Sequence, residues 1–258
     1  ALAVLTEPEE HARRPLDVVA ASPARPLVLL PPPLARTPDA CRRFRRWVKK
    51  RRMPVVVSSP VRFHPGFAKV REVLESGILG DPQRLELRYQ GKGWTARYGL
   101  RDTPHEKNPW HFYHEIALAC WLLPPSATPP AFTIDKNKGA AAPVCLTLDG
   151  PEGKQARIEI SQKTKERTDD DSGLELQLTA EHGTIAYRET AQPQHGTQLE
   201  VAYTVDRIDG SRNIRRAVPP GDPVQIELGF LLNQLAEGPP VRSESLDEAE
   251  TFAAILNP

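Results

Sequence analysis

The alternation of short apolar runs with helix-forming segments in the first sixty residues most constrains the fold. Ala1–Thr6 (ALAVLT), Leu27–Leu30 (LVLL) and Pro54–Val57 (PVVV) are short, uniformly apolar and bounded by breakers, so they read as buried strands. Pro8 opens a helical stretch through Glu9, Glu10, His11 and Ala12, where its missing N–H costs nothing in a first turn. Pro15 interrupts that stretch. Thr37-Pro38-Asp39 opens a second helix, with a capping hydroxyl, a proline at the first position and an acid in the first turn; it runs to Arg52. Strand, helix, strand, helix, strand is the order of a parallel, doubly wound sheet, because a crossover helix brings the chain back to run in the same direction.

After Ser58-Ser59-Pro60 the texture changes. Gly66–Ser76 is an amphipathic helix with Phe67, Val70, Val73 and Leu74 on one side, ended by Gly77 and Gly80. Arg84–Tyr89 alternates as a strand, and Asn108–Leu123 reads as a helix. Strand-like runs then follow at Val144–Leu148, Ala156–Ser161, Leu174–Thr179, Thr184–Arg188 and Leu199–Val205, separated by turn signals such as Asp149-Gly150-Pro151 and His182-Gly183. Strands without intervening helices imply an antiparallel sheet. Val, Ile and Leu are spread over both faces of these alternating strands, which predicts that the sheet's open face is covered as well. Residues 207–221 read as a mobile loop, and Asp222–Ala236 and Ser245–Leu256 as two closing helices. The fold class is α/β plus α+β: a truncated parallel segment over residues 1–60, then residues 61–258 as an open, mainly antiparallel sheet domain with helices on one face and the C-terminal helices attached to it.

Composition excludes several classes. In 258 residues, 34 Lys and Arg balance 33 Asp and Glu, so the net charge of +1 exerts no general attraction for nucleic acid. With 39% hydrophobic residues the chain can build a core and is not wholly disordered. The longest apolar run, Ile116–Leu123, is far below the roughly 20 residues of a membrane helix, so no membrane partner is expected. Cys41, Cys120 and Cys145 are odd in number and widely spaced, which argues against a disulfide framework or a structural zinc site and for a reducing cytoplasm. The first residue is Ala1 and the only methionine is Met53, with no signal-peptide pattern, so the chain is read as processed or truncated.

A series of motifs carries a resemblance. Thr6-x-Pro8-x-x-His11 follows the first strand, and Pro31-Pro32-Pro33-Leu34-Ala35 follows the second. Then come Arg62-Phe63-x-Pro65, Val73-Leu74-x-x-Gly77-x-x-Gly80, and His114-x-Ile116 with Trp121-Leu122 beyond. In this order the chain resembles the glucose–fructose oxidoreductase and inositol dehydrogenase family of nicotinamide-dependent sugar oxidoreductases, from that family's fourth Rossmann strand to its C-terminal helices. The resemblance implies NAD or NADP as cofactor, with Thr6, Pro8 and His11 beside it. It implies a sugar-like substrate near Arg62, Trp94, Trp110 and His111, His114 as catalytic acid/base facing a cleft between domains, and a homo-oligomer or paralogous partner joined through the open sheet.

Three departures weigh against that activity. The family's glycine-rich phosphate turn has no counterpart; the one G-x-G-x-x-A string, Gly91–Ala96, is not followed by a helix opening. The family's Glu-Lys-Pro is replaced by Pro31, Pro32 and Pro33, and proline cannot transfer a proton. Its aspartate four residues before the histidine is Trp110. The reading is therefore a degenerate, non-catalytic relative, a pseudoenzyme serving as a ligand-binding or assembly subunit that need hold no nicotinamide. The alternative is an active oxidoreductase using His114, with the rest of the Rossmann half supplied upstream or by a partner.

Two further clusters have plainer readings. His105, His111, His114 and Glu115 gather at one helix start without matching a metal motif, so no metal is expected. Arg42–Arg52 holds eight basic residues around the apolar stripe Cys41, Phe44 and Val48. It reads as a solvated helix face paired with acids such as Asp169-Asp170-Asp171 or Asp247-Glu248, and nucleic acid is not expected there.

Overall fold

The structure is a computed structural model of the chain and describes residues 2–3, 26–35, 37–90, 112–123, 131–136, 144–161, 173–192, 196–206, 210–237 and 244–256. The chain divides into one unit of residues 1–60 with 223–258 and a second of residues 61–222.

The first unit holds a parallel sheet, in the order β1 (Leu2–Ala3), β2 (Val28–Leu30), β3 (Val55–Val57). Helix α1 (Pro38–Arg51) links β2 to β3. Its start follows the sequence signals: the Thr37 hydroxyl accepts from the Ala40 N–H at 3.2 Å, Pro38 sits in the first turn, and Asp39 faces the helix N-terminus. Lys49, Lys50 and Arg51 fill the last turn, where cations suit the helix dipole. The final helices are α4 (Pro223–Glu237) and α5 (Glu244–Leu256). Both belong to this first unit, whereas their position after the strand region suggests attachment to the second domain. Helix α5 packs on α1 and β3. The Cys41 thiol lies 3.8 Å from the Ala249 carbonyl, and Arg45 pairs with Asp247 and, at 3.2 Å, with Glu250. Leu27 and Val56 form a cluster with Leu231 of α4, and Leu29 packs partly against it. Such contacts across the sequence cannot be read from local periodicity.

The second unit holds a mixed eight-stranded sheet in the order β11-β10-β9-β8-β4-β7-β6-β5. The strands are β4 (Pro82–Gln90), β5 (Ala131–Lys136), β6 (Val144–Asp149), β7 (Gln155–Ser161), β8 (Gly173–Ala180), β9 (Gly183–Gln192), β10 (Gly196–Val205) and β11 (Arg212–Val218). Seven pairings join them, and only β4–β7 is parallel. Helix α2 (Pro65–Glu75) lies against β9, β10 and β11, and α3 (Tyr113–Leu122) is tied to α2 by the Arg71 guanidinium, which donates to the Trp121 carbonyl at 2.6 Å.

Two expectations are corrected here, and one strand is added. Residues 207–221 are not one loop: Arg212–Val218 is the edge strand β11, paired along its length with β10. Its exposed side chains hide the signal, since an edge strand with neither face buried shows no alternation. Strand β5 has no counterpart in the sequence reading. The apolar residues of the central strands also do not cover both faces. Leu85, Leu87, Leu174, Leu176, Leu178, Ile185, Tyr187 and Val201 are buried on one face. The registered rows on the other are polar: Glu86 opposite Gln177 and Arg157, then Arg88, Glu175, Arg188 and Glu200 side by side. Opposite charges therefore alternate across neighbouring strands, and Arg188 meets Glu175 at 3.0 Å.

Candidate functional site

In open α/β sheets ligands gather at the carboxyl ends of the parallel strands. In the first unit these ends are Pro31–Pro33 after β2 and Ser58-Ser59 after β3, held together by the Ser58 N–H donating to the Leu30 carbonyl at 2.7 Å. Pro32 and Pro33 are buried and carry neither an N–H nor an ionisable group. A buried carboxylate completes the edge. Glu227 of α4 accepts from the Ser58 hydroxyl at 2.7 Å and from the Ser59 N–H at 2.7 Å. Glu227 was not singled out from sequence, although it is the one charged residue in the apolar stretch from Pro223 to Ala236 and buried charges are retained only when hydrogen-bonded. These described residues do not fit a dinucleotide pyrophosphate. The Ser59 N–H is committed to a carboxylate, and that carboxylate would repel a phosphate.

His114, in the second unit, sits in the first turn of α3 and is 4% exposed. The helix is apolar on nearly all sides, with Ile116, Ala117, Leu118 and Leu122 buried around it. Burial alone drives the imidazole pKa down to about 4, so the ring is neutral at ordinary pH. Its Nδ1 has no hydrogen-bond partner among the described residues, and the Tyr113 ring stands edge-on at 5.9 Å. Glu115, next in the helix, is fully buried as well. Arg62 lies in a one-turn 3-10 helix (Pro60–Phe63) that leads into α2. No hydrogen bond joins Arg62 to His114 among the described residues. Thr6, Pro8, His11, Trp94, Trp110 and His111 lie outside the described residues, as does Gly91–Ala96.

A second buried polar group was not anticipated. His64, at the cap of α2, places Nε2 3.7 Å from Glu189 Oε2, and the Tyr187 hydroxyl donates to the same oxygen at 3.3 Å. The His64 ring also lies 4.9 Å from that of Phe67, tilted by 47°, and Phe67 meets Tyr187 edge-on. This cluster fastens α2 to β9. The sequence clue was His64 inside Arg62-Phe63-His64-Pro65, but its partner lies more than a hundred residues away. Among the described residues no group of three or more His, Cys, Asp or Glu side chains is arranged to hold a metal, and no helix is long and apolar enough to cross a membrane.

No family model matches the sequence, and neither does any curated protein. Solved structures do. An oxidoreductase from Agrobacterium radiobacter, in complex with NAD+, L-tartaric acid and magnesium, superposes with a TM-score of 0.68 at 17% identity, over 98% of this chain and 75% of that one. The fold is shared with the sugar oxidoreductases of the glucose–fructose oxidoreductase and inositol dehydrogenase type. Levoglucosan dehydrogenase, in complex with NADH and levoglucosan, matches with a TM-score of 0.68 at 18% identity over 98% of this chain and 75% of its own. UDP-N-acetylglucosamine 3-dehydrogenase from Acidithiobacillus ferrooxidans matches with a TM-score of 0.66 at 16% identity, over 98% and 76%. At these identities the likeness establishes the fold, a Rossmann-like parallel segment followed by a sheet domain.

Proposed function

We propose that this chain is a non-catalytic relative of the nicotinamide-dependent sugar oxidoreductases, serving as a subunit that binds a sugar-like small molecule or supports an assembly. The observation that carries this reading is the proline run at the carboxyl end of β2. The resemblance aligns Pro32 with the family's catalytic lysine, and a buried proline can neither donate a proton nor stabilise the alkoxide that forms during hydride transfer. The Glu227 carboxylate at the adjoining strand end adds negative charge where a cation would serve that chemistry. NAD or NADP enters only through the resemblance; the solved relatives hold NAD+ with L-tartaric acid and NADH with levoglucosan, both ligands being small and oxygen-rich. A reducing cytoplasm accords with the three free cysteines.

A second reading is favoured by one observation. His114 is buried and neutral, with no partner for Nδ1 among the described residues, so that nitrogen could offer a lone pair or proton to a substrate. In that reading it is the acid/base of an active oxidoreductase completed by further Rossmann structure. Titration of NADH and NADPH by fluorescence and calorimetry, with and without a panel of sugars and polyols, separates the two. The first predicts no dinucleotide turnover and a rise in melting temperature with a sugar alone. Saturable dinucleotide binding with polyol-dependent reduction, abolished in His114→Asn, would replace it with the second.

A further inference from the structure

Strand β11 stands at the end of the large sheet, and among the described residues nothing pairs with its outer side. An edge strand turns the N–H and C=O of alternate residues away from its one neighbour, so these groups stay open to a further strand. Proteins ordinarily close such an edge with a proline, a bulge or a charge. In β11 the first two are absent. Arg212–Val218 contains no proline, and its seven residues pair with β10 without a shift of register, from Val205 with Arg212 to Leu199 with Val218. Prolines come only after it, at Pro219 and Pro220. The edge is therefore regular along its whole length and guarded by charge alone.

That charge is of one sign. Arg212, Arg215 and Arg216 are exposed, and the strand holds no acid. Arg215 has one carboxylate near it, Glu200 of β10 at 4.0 Å, and the Arg216 guanidinium donates to the Arg215 carbonyl at 3.3 Å. Among the described residues Arg212 and Arg216 meet no carboxylate. Strand alternation puts Arg212 and Arg216 on one face with the half-buried Ile214 and Val218, and Arg215 on the other. This pattern disfavours a second copy. Antiparallel pairing of two β11 strands about Arg215 or Arg216 sets that arginine against itself, and pairing about Ile214 sets Arg212 against Arg216 on both sides. Like charges directly opposite one another destabilise a ladder. A proline or a bulge would close the edge to every strand, whereas arginines close it to copies and leave it open to a strand of opposite sign.

We propose that β11 is the docking edge for an acidic, extended peptide segment of another protein, which adds to the large sheet as a further strand. The peptide's main chain takes up the outward N–H and C=O groups and supplies affinity. Acids opposite Arg212, Arg215 and Arg216 set its register, and small apolar residues opposite Ile214 and Val218 extend the half-buried face. A nucleic acid would meet the arginines but leave the main-chain ladder unmade. The contact lies on the edge of the sheet, not on its face, and does not depend on whether the chain is catalytic.

A labelled synthetic peptide, Val-Thr-Glu-Glu-Val-Thr-Glu, laid antiparallel from Val218 to Arg212, tests it by fluorescence anisotropy and by hydrogen exchange of the full chain. The expected result is saturable binding in the micromolar range, with exchange slowed in β11. Changing the adjacent Val and Thr opposite Ile214 and Asn213 to proline keeps every acid but removes a ladder N–H whichever of the two faces β11, so binding should weaken at least about tenfold. Arg212→Glu with Arg216→Glu is expected to weaken binding at least about tenfold at an unchanged melting temperature, since both side chains are exposed. That variant should instead bind a peptide with lysine opposite residues 212 and 216, which shows that the edge itself is intact. No binding at millimolar peptide overturns the proposal. Equal binding of the proline peptide overturns it in favour of a contact by charge alone. An oligonucleotide that binds more tightly than the peptide and displaces it overturns it in favour of a nucleic acid. Slowed exchange in β11 with rising concentration of the chain alone overturns it in favour of a second copy.

Discussion

The ring of Tyr187 on β9 lies directly against the backbone of Gly66 on α2, so close that a methyl group at Gly66 would sit 2.2 Å from Tyr187 Cε2. This glycine is present for space. Tyr187 is among the largest fully buried side chains, and it also carries the hydroxyl that reaches Glu189. Gly66→Ala is therefore expected to destabilise the protein by about 2–3 kcal/mol through overpacking. Tyr187→Phe, which keeps the ring and removes the hydroxyl, should cost about 1 kcal/mol. Urea unfolding of the two variants checks the order; an alanine variant as stable as the parent would show that α2 can shift away from β9.

The Glu227 clamp gives a second prediction. Removing the carboxylate in Glu227→Ala leaves the Ser59 N–H without that acceptor and loses the Ser58 bond. A cost of about 2–4 kcal/mol is expected, since hydrogen bonds to a charged group contribute more than neutral ones. Glu227→Gln keeps one acceptor oxygen and should recover about half of the loss. Thermal unfolding with hydrogen exchange at Ser59 reads both effects.

His114 predicts a pH dependence with a definite sign. Its pKa falls from 6.5 to about 4 on burial, so between these values the unfolded chain binds a proton that the folded chain refuses. This group leaves stability unchanged above about pH 6.5 and lowers it as pH falls below that, and by about pH 4 the loss amounts to about 3 kcal/mol. Denaturant unfolding of the parent and of His114→Gln at pH 7 and pH 4.5 isolates it. The parent should lose more stability than the variant over that interval; equal losses would mean that the imidazole is hydrated in the folded protein.

Cys41 should be chemically silent. Burial first, and the nearby Glu250 carboxylate second, push its thiol up to about 11, so almost no thiolate exists near neutrality. Alkylation of the native protein at pH 8, followed by peptide mass spectrometry, is expected to leave Cys41 unmodified. Alkylation after denaturation should label it fully.

Much of the fold was legible locally. Thr37-Pro38-Asp39 announces α1 and its cap, and the apolar runs mark β2 and β3 to within a residue. The strand β11 was not legible, because a strand exposed on both faces has no period to read. The site was legible only in part. His114 could be placed on a helix but not known to be buried beyond solvent, and Glu227 drew no notice because Ser58 and Ser59 lie far from it in sequence.

The sequence by itself determined α1, α2 and most of the strands with a buried face, since caps, breakers and periodicity act over a few neighbouring residues. It also carries the motifs from which the resemblance aligns Pro31, Pro32 and Pro33 with that family's Glu-Lys-Pro. Only the tertiary structure decided that α4 and α5 belong with the first unit, that the large sheet presents one apolar and one charged face, and that α4 turns five apolar side chains outward. Those outcomes depend on which distant surfaces meet, and burial free energy is set by such encounters rather than by the local order of residues.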